Sequence, residues 1–139
     1  MNNSKARTFS SKTEKYLDWE EYISLVCRLG ELIRESAHSI DYIHGVPRGG
    51  LVPAVILSHT LGIPILSNFM DGKDGTVLIV DDLVDTGKTV IDLITIRKHM
   101  DVLVGTLYKH KKCKVFPDFF VEENDYWVHF PYEKVNVNE

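Results

Sequence analysis

Cysteine is scarce in this chain. Cys27 and Cys113 are the only two in 139 residues, one in a helical pattern and one in a lysine-rich stretch. That excludes a disulfide framework and any zinc spacing, and free thiols are the simplest state. A domain of this length buries most of its apolar surface without such staples. No apolar run is long enough to cross a bilayer, and Met1 to Glu14 lacks the apolar centre of a secretory signal, so a cytoplasmic location is expected. Charge of one sign is not in large excess. A net charge of −4 and a pI near 5.8 argue against the basic face of a general nucleic-acid binder, while leaving room for a local basic pocket. The six histidines are scattered, with no metal-ligand spacing. There is no internal repeat and no internal domain boundary. Residues 1–14 are expected to be a flexible tail, and 15–139 a single domain.

Periodicity divides that domain into alternating elements. Asp18 and Glu21 form a variant capping box at the head of a helix whose apolar stripe is Tyr22, Val26, Leu29 and Ile33. The helix is expected to end near Ser36 to Ser39. A strand over Ile40–Val46 runs into Pro47-Arg48-Gly49-Gly50. A second helix starts near Leu51, with Pro53 in its first turn, Gly62 as its stop and Pro64 just beyond. Ile63–Ser67 reads as a further strand, and Asn68–Gly75 as a loop. Val77 to Val80 is an unbroken apolar, largely β-branched run, which fits a strand buried on both faces. Gly87–Met100 reads as a third helix, and Val102–Tyr108 as a strand. Phe119–Val121 and Trp127–Val128 read as short extended pieces. Strands alternating with helices predict an α/β fold with a mainly parallel sheet, Rossmann-like and flanked by helices.

The chemistry concentrates after the central strand. In open α/β sheets ligands bind beyond the carboxyl ends of the strands, and here that end carries Asp81-Asp82. Adjacent carboxylates repel, so a metal ion, a cation or ligand hydroxyls that donate hydrogen bonds must offset them. A vicinal diol suits the last role. Asp85-Thr86-Gly87-Lys88-Thr89 then enters a helix whose first N–H groups lack intrahelical partners and favour an anion. Thr86 and Thr89 add hydroxyl donors, and Gly87 admits close approach. Diol acceptors beside a phosphate cradle match a ribose 5-phosphate. Gly87-Lys88-Thr89 also ends like a Walker A loop. Its first glycine would fall at Asp82, whose charge repels a triphosphate, so that reading is rejected. Plain helix capping by the aspartates is the remaining alternative.

With these residues in view, Val77 to Thr89 resembles, across its whole length, the phosphoribosyl pyrophosphate motif of type I phosphoribosyltransferases. Gly45-Val46-Pro47-Arg48-Gly49-Gly50-Leu51-Val52-Pro53 resembles the pyrophosphate loop of the family's bacterial xanthine-guanine branch. Leu61-Gly62-Ile63, the Lys15-Tyr16 and Trp19 start, and Trp127-Val128 with Pro131 extend the resemblance over about residues 15–133. It implies the type I fold with a small C-terminal hood. It also implies magnesium as cofactor, a homo-oligomer (dimer or tetramer), and transfer of the phosphoribosyl group to guanine, xanthine or hypoxanthine with release of pyrophosphate.

Carried over by position, the resemblance puts Asp81 and Asp82 on the ribose hydroxyls, with Asp82 also at the metal. Asp85 becomes the general base or proton relay beside the purine. Asp85, Thr86, Gly87, Lys88 and Thr89 surround the 5-phosphate. Arg48 and the N–H groups of Gly49 and Gly50 take pyrophosphate, and the Pro47–Arg48 peptide is expected to be cis. Lys109 would contact the 6-oxo group of the base, Trp127 would stack on it, and Val128 would offer backbone contacts. Three residue-level alternatives stand beside these roles: Lys109 as a solvated member of the run Lys109, Lys111, Lys112 and Lys114, Trp127 as core, and Pro47–Gly50 as an ordinary turn.

The sequence departs from the family at two places. The family's long closing loop is reduced to Asn68–Gly75, and His129 stands where the bacterial branch has an acid. A non-catalytic nucleotide-binding regulator and a transferase for a non-purine acceptor are the alternative functions.

Overall fold

A computed structural model describes residues 10–68, 74–96, 99–114 and 116–133. Within them the chain forms β1 (Ser10–Tyr16), α1 (Trp19–Glu35), β2 (Tyr42–Gly45), α2 (Leu51–Leu61), β3 (Gly75–Val84), α3 (Lys88–Ile96), β4 (Met100–His110), β5 (Phe119–Asn124) and β6 (Tyr126–His129), then a single 3-10 turn at Pro131–Glu133. The main sheet has the order β2-β3-β4-β5, and all its pairs are parallel. The α/β expectation is met.

The central strand is apolar because both its faces are covered. Leu78 and Val80 pack with α1 and α2 residues such as Leu29, Ala54 and Leu57. Val77 and Ile79 pack on the other face with Val46, Leu66 and Met100, and Leu93 of α3 closes over them. Helix α1 starts at the expected capping box: the Glu21 N–H donates to Asp18 Oδ1 at 2.7 Å, and the Asp18 N–H to Glu21 Oε1 at 3.3 Å. A cap of this kind is worth about 1 kcal/mol. The stripe Tyr22, Val26, Leu29 and Ile33 is buried, and each of its three aliphatic side chains contributes roughly 1.5–3 kcal/mol. Helix α2 stops at Gly62, whose φ of 71° is left-handed.

Four expectations change. Ser10 to Glu14, read as tail, lie in β1, which pairs in parallel with β6; residues 1–9 lie outside the described residues. Ile63–Ser67 is not a full strand, because only Ile65 bridges to Ile43. The third helix is shorter than expected, and Met100 already belongs to β4. β3 runs on to Val84, so Asp81 and Asp82 lie inside the hydrogen-bonded ladder rather than after it. Of the Asn68–Gly75 loop, 69–73 lie outside the described residues. No helix among the described residues is long and apolar enough to cross a membrane.

Candidate active site

The loop after β2 is tied to the central strand. The Val46 N–H donates to the Val80 carbonyl at 2.9 Å, and the Gly50 N–H donates to the Val46 carbonyl at 2.7 Å. The Pro47–Arg48 peptide is cis, as the resemblance implies. Arg48 is exposed and has no ion-pair partner among the described residues. Gly50 departs from its expected role. Its N–H closes the turn on Val46 and so is not free for an anion in this conformation. Arg48 and the Gly49 N–H remain as donors.

Gly49 and Gly50 are glycines because other groups occupy the space of a side chain. A Cβ on Gly49 would lie 2.1 Å from Asp82 Oδ2, and one on Gly50 would lie 2.2 Å from the Val80 carbonyl oxygen. The pyrophosphate-type loop and the first acidic motif are therefore in contact, with the Asp82 carboxylate seated against the Gly49 backbone.

Each of the paired acids already accepts a hydrogen bond from within the protein. Asp81 Oδ1 accepts the Asp82 N–H at 2.8 Å, and Asp82 Oδ2 accepts the Tyr132 hydroxyl at 2.5 Å. Burial pushes the Tyr132 phenol far above its ordinary range, and the Asp82 carboxylate pushes it the same way. Tyr132 therefore stays protonated and donates. Tyr22, fully buried below it, is raised by the same two causes in the same order. Tyr22 was read only as part of the apolar stripe of α1, and the one signal for Tyr132 was an aromatic just after Pro131.

Beyond β3 the chain turns at Gly87, whose φ is 80°, and the Gly87 carbonyl accepts the Ile91 N–H at 2.9 Å to open α3. Thr86, Lys88 and Thr89 are exposed, and Asp85 is half-buried. The Lys88 side chain lies along the helix, with Nζ 3.2 Å from Asp92. It lies toward Asp92, and the Lys88 N–H donates to Thr86 Oγ1 at 3.3 Å, so Thr86, Thr89 and the other opening N–H groups of the turn are the candidates for holding an anion.

Lys109 is not a solvated member of the basic run. It is 1% exposed, next to Val84 in register at the end of β4. Its Nζ lies 2.9 Å from Glu123 Oε2 and 4.4 Å from the centre of the Phe116 ring. The ion pair and the ring face offset the cost of burying the ammonium. Lys109 in turn holds the Glu123 carboxyl below its ordinary value, first through the hydrogen bond and then through its charge.

Trp127 is half-buried on β6, its ring 6.2 Å from that of His129. Val128 is buried, so only its backbone can face a base. His129 stacks on Tyr16 at 4.1 Å, and its Nε2 lies 2.6 Å from Glu14, binding β6 to β1. The hood thus includes β1. A cavity of ≈ 370 Å³ lies elsewhere, lined by Lys15, Glu20, Arg28 and Glu122 among others. None of the expected site residues lines it, and its mixed charges point to no ligand.

No family model matches the chain. It is 31% identical to a xanthine-guanine phosphoribosyltransferase of Idiomarina loihiensis, over 88% of this chain and 89% of that one. A purine phosphoribosyltransferase of Pyrococcus horikoshii has a similar structure, with a TM-score of 0.74 and 33% identity over 91% of this chain and 98% of its own. The xanthine-guanine-hypoxanthine phosphoribosyltransferase of Helicobacter pylori, 18% identical, shares the fold with a TM-score of 0.79 over 88% and 93% of the two chains. With the acidic turn, the cis-peptide loop and this likeness along nearly its whole length, the chain belongs to the type I phosphoribosyltransferase family, among the purine phosphoribosyltransferases.

Proposed function

We propose that the protein transfers the 5-phosphoribosyl group of phosphoribosyl pyrophosphate to guanine, xanthine or hypoxanthine. One observation supports the reading: the Asp82 carboxylate rests against Gly49, so the residues assigned to the ribose diol and to pyrophosphate meet near the carboxyl ends of β2 and β3. Asp81 and Asp82 would accept the ribose hydroxyls. Thr86, Thr89 and the opening N–H groups of α3 would take the 5-phosphate, with Asp85, Gly87 and Lys88 completing the turn. Arg48 and the Gly49 N–H would take pyrophosphate.

In the reaction, the bond from the anomeric carbon to pyrophosphate breaks and a bond to a purine nitrogen forms. The proton on that nitrogen leaves, and Asp85 would accept or relay it. The charge developing on pyrophosphate meets Arg48 and backbone donors already in place, and the carboxylates fix the sugar. Lys109 would donate to the 6-oxo group, with Trp127 on the face of the ring.

Magnesium fits this donor set. No group of three or more His, Cys, Asp or Glu able to hold a metal occurs among the described residues, and magnesium commonly needs only one or two carboxylates when substrate phosphates supply the rest. Asp82 would be its protein ligand. When bound, the ion would neutralise charge on the leaving pyrophosphate. A cytoplasmic homo-oligomer goes with the reading, with exposed Leu51 and Val55, one turn apart on α2, as candidate contacts.

The test is release of pyrophosphate by purified protein with magnesium, phosphoribosyl pyrophosphate and each base in turn. Turnover with at least one 6-oxopurine is expected. Turnover with none of the three would reject the reading, and binding without turnover would mark a nucleotide-binding regulator.

A further inference from the structure

The hood reaches the sugar site through one hydroxyl. Tyr132 lies in the 3-10 turn just after the hood strand β6. Its hydroxyl is 2.5 Å from Asp82 Oδ2 and 3.4 Å from the Gly49 carbonyl. A phenol has one proton to donate, and the short contact assigns it to the carboxylate. The same oxygen, Oδ2, lies nearest the empty side-chain position of Gly49, at 2.1 Å against 2.9 Å for Oδ1.

The hydroxyl is held in place independently of Asp82. The Tyr132 ring stacks on Phe130 at 5.7 Å and meets Tyr22 edge-on at 5.6 Å. Phe130 and Tyr22 belong to the main core, so the aromatic cluster sets the phenol and the phenol sets the carboxylate. No hydrogen bond to Oδ1 is made among the described residues, which leaves that oxygen to a ligand.

We propose that Tyr132 is a positioning residue for phosphoribosyl pyrophosphate, locking the Asp82 carboxylate against the Gly49 backbone so that the acceptor for the ribose diol is preorganised. The inference rests on the assignment of Asp82 to the ribose. One side chain of the base-binding hood thereby sets the geometry of the sugar site. Without it the carboxylate must lose rotational freedom when the sugar binds.

Tyr132→Phe removes the hydroxyl and keeps the ring contacts. A hydrogen bond to a charged group is worth roughly 1.5–3 kcal/mol, so the variant should bind phosphoribosyl pyrophosphate with magnesium about 10-fold or more weakly by calorimetry. Its KM for that substrate should rise in parallel, while the KM for the base stays within about twofold. In an Asp82→Ala background the effect should vanish, because the tyrosine acts through the carboxylate. Tyr132→Met, which fills space without a hydroxyl, is read the same way if the phenylalanine variant does not fold. A change in base KM as large as that for phosphoribosyl pyrophosphate would mean that Tyr132 serves only the packing of the hood, and would overturn the proposal. So would an effect that persists in Asp82→Ala. If wild type and Tyr132→Phe bind phosphoribosyl pyrophosphate equally, this inference alone fails. If the wild type binds none, the assignment of the site fails and takes the inference with it.

Discussion

Replacing Gly49 by alanine should separate substrate binding from folding. The new methyl carbon would lie 2.1 Å from Asp82 Oδ2 and 2.5 Å from its Cγ. Carbon contacts settle near 3.5–4.0 Å, so the carboxylate must retreat by more than about 1 Å. That movement breaks the 2.5 Å hydrogen bond from Tyr132. A displacement of about 1 Å in a positioning group can lower the rate about 100-fold, or about 2.7 kcal/mol of transition-state stabilisation. The group that moves is the end of a side chain rather than backbone, so stability should fall by about 1.5 kcal/mol, the lower end of what a hydrogen bond to a charged group is worth.

Gly50→Ala is the control with the opposite outcome. Its methyl would meet the Val80 carbonyl oxygen at 2.2 Å and the Val46 nitrogen at 2.6 Å, and neither backbone atom can rotate away. It should cost about 3 kcal/mol, a fall of about 10 °C in Tm for a domain of this size. Steady-state kinetics in phosphoribosyl pyrophosphate, with thermal denaturation of both variants, tests the pair. A folded Gly49→Ala protein with kcat/KM within about threefold of wild type would refute the reasoning, as would a Gly50→Ala protein of wild-type stability.

Arg48→Ala should leave Tm unchanged, because the side chain is exposed and unpaired among the described residues. Its kcat/KM for phosphoribosyl pyrophosphate should drop by about 10- to 100-fold as a charged contact is lost; an unchanged value would remove it from the pyrophosphate site. Lys109→Met should raise the KM for the purine about 10-fold or more while the KM for phosphoribosyl pyrophosphate holds, because the ammonium is the proposed donor to the base. Equal changes in both would assign Lys109 to structure alone. Lys109 holds the Glu123 carboxyl below its usual value of 4.5, so the unfolded chain takes up that proton first as pH falls. The pair's contribution to stability is therefore complete above the ordinary carboxylate range and is lost as pH falls through the depressed value. Urea midpoints from about pH 5 to pH 3 should fall less steeply in Glu123→Gln than in wild type; identical slopes would contradict the linkage.

What could be read along the chain was what local pattern determines. The Asp18 cap, the Gly62 stop, the doubly buried Val77–Val80 strand and the Pro47–Gly50 loop each follow from neighbours within a few residues. What escaped depends on distant partners. Ser10 to Glu14 is polar and reads as tail, yet it becomes strand by pairing with β6 near the other end of the chain. Ile63–Ser67 has the composition of a strand but finds a partner only at Ile65. Lys109 sits in a lysine run, and only Glu123 and Phe116 in space explain its burial. The acidic pair was expected to need a ligand, whereas Tyr132 and a backbone N–H already stand beside it. The N–H of Gly50 was expected to face an anion, and the turn uses it instead.

The most direct measurement of the central claim is a crystal structure of the protein with a purine nucleoside 5′-monophosphate. The account places the phosphate on Thr86, Thr89 and the opening N–H groups of α3, the ribose hydroxyls on Asp81 and Asp82, and the base between Trp127 and the Lys109 ammonium. A nucleotide whose phosphate lies away from the Thr86–Thr89 turn, with Asp82 still bonded only to Tyr132, would contradict it.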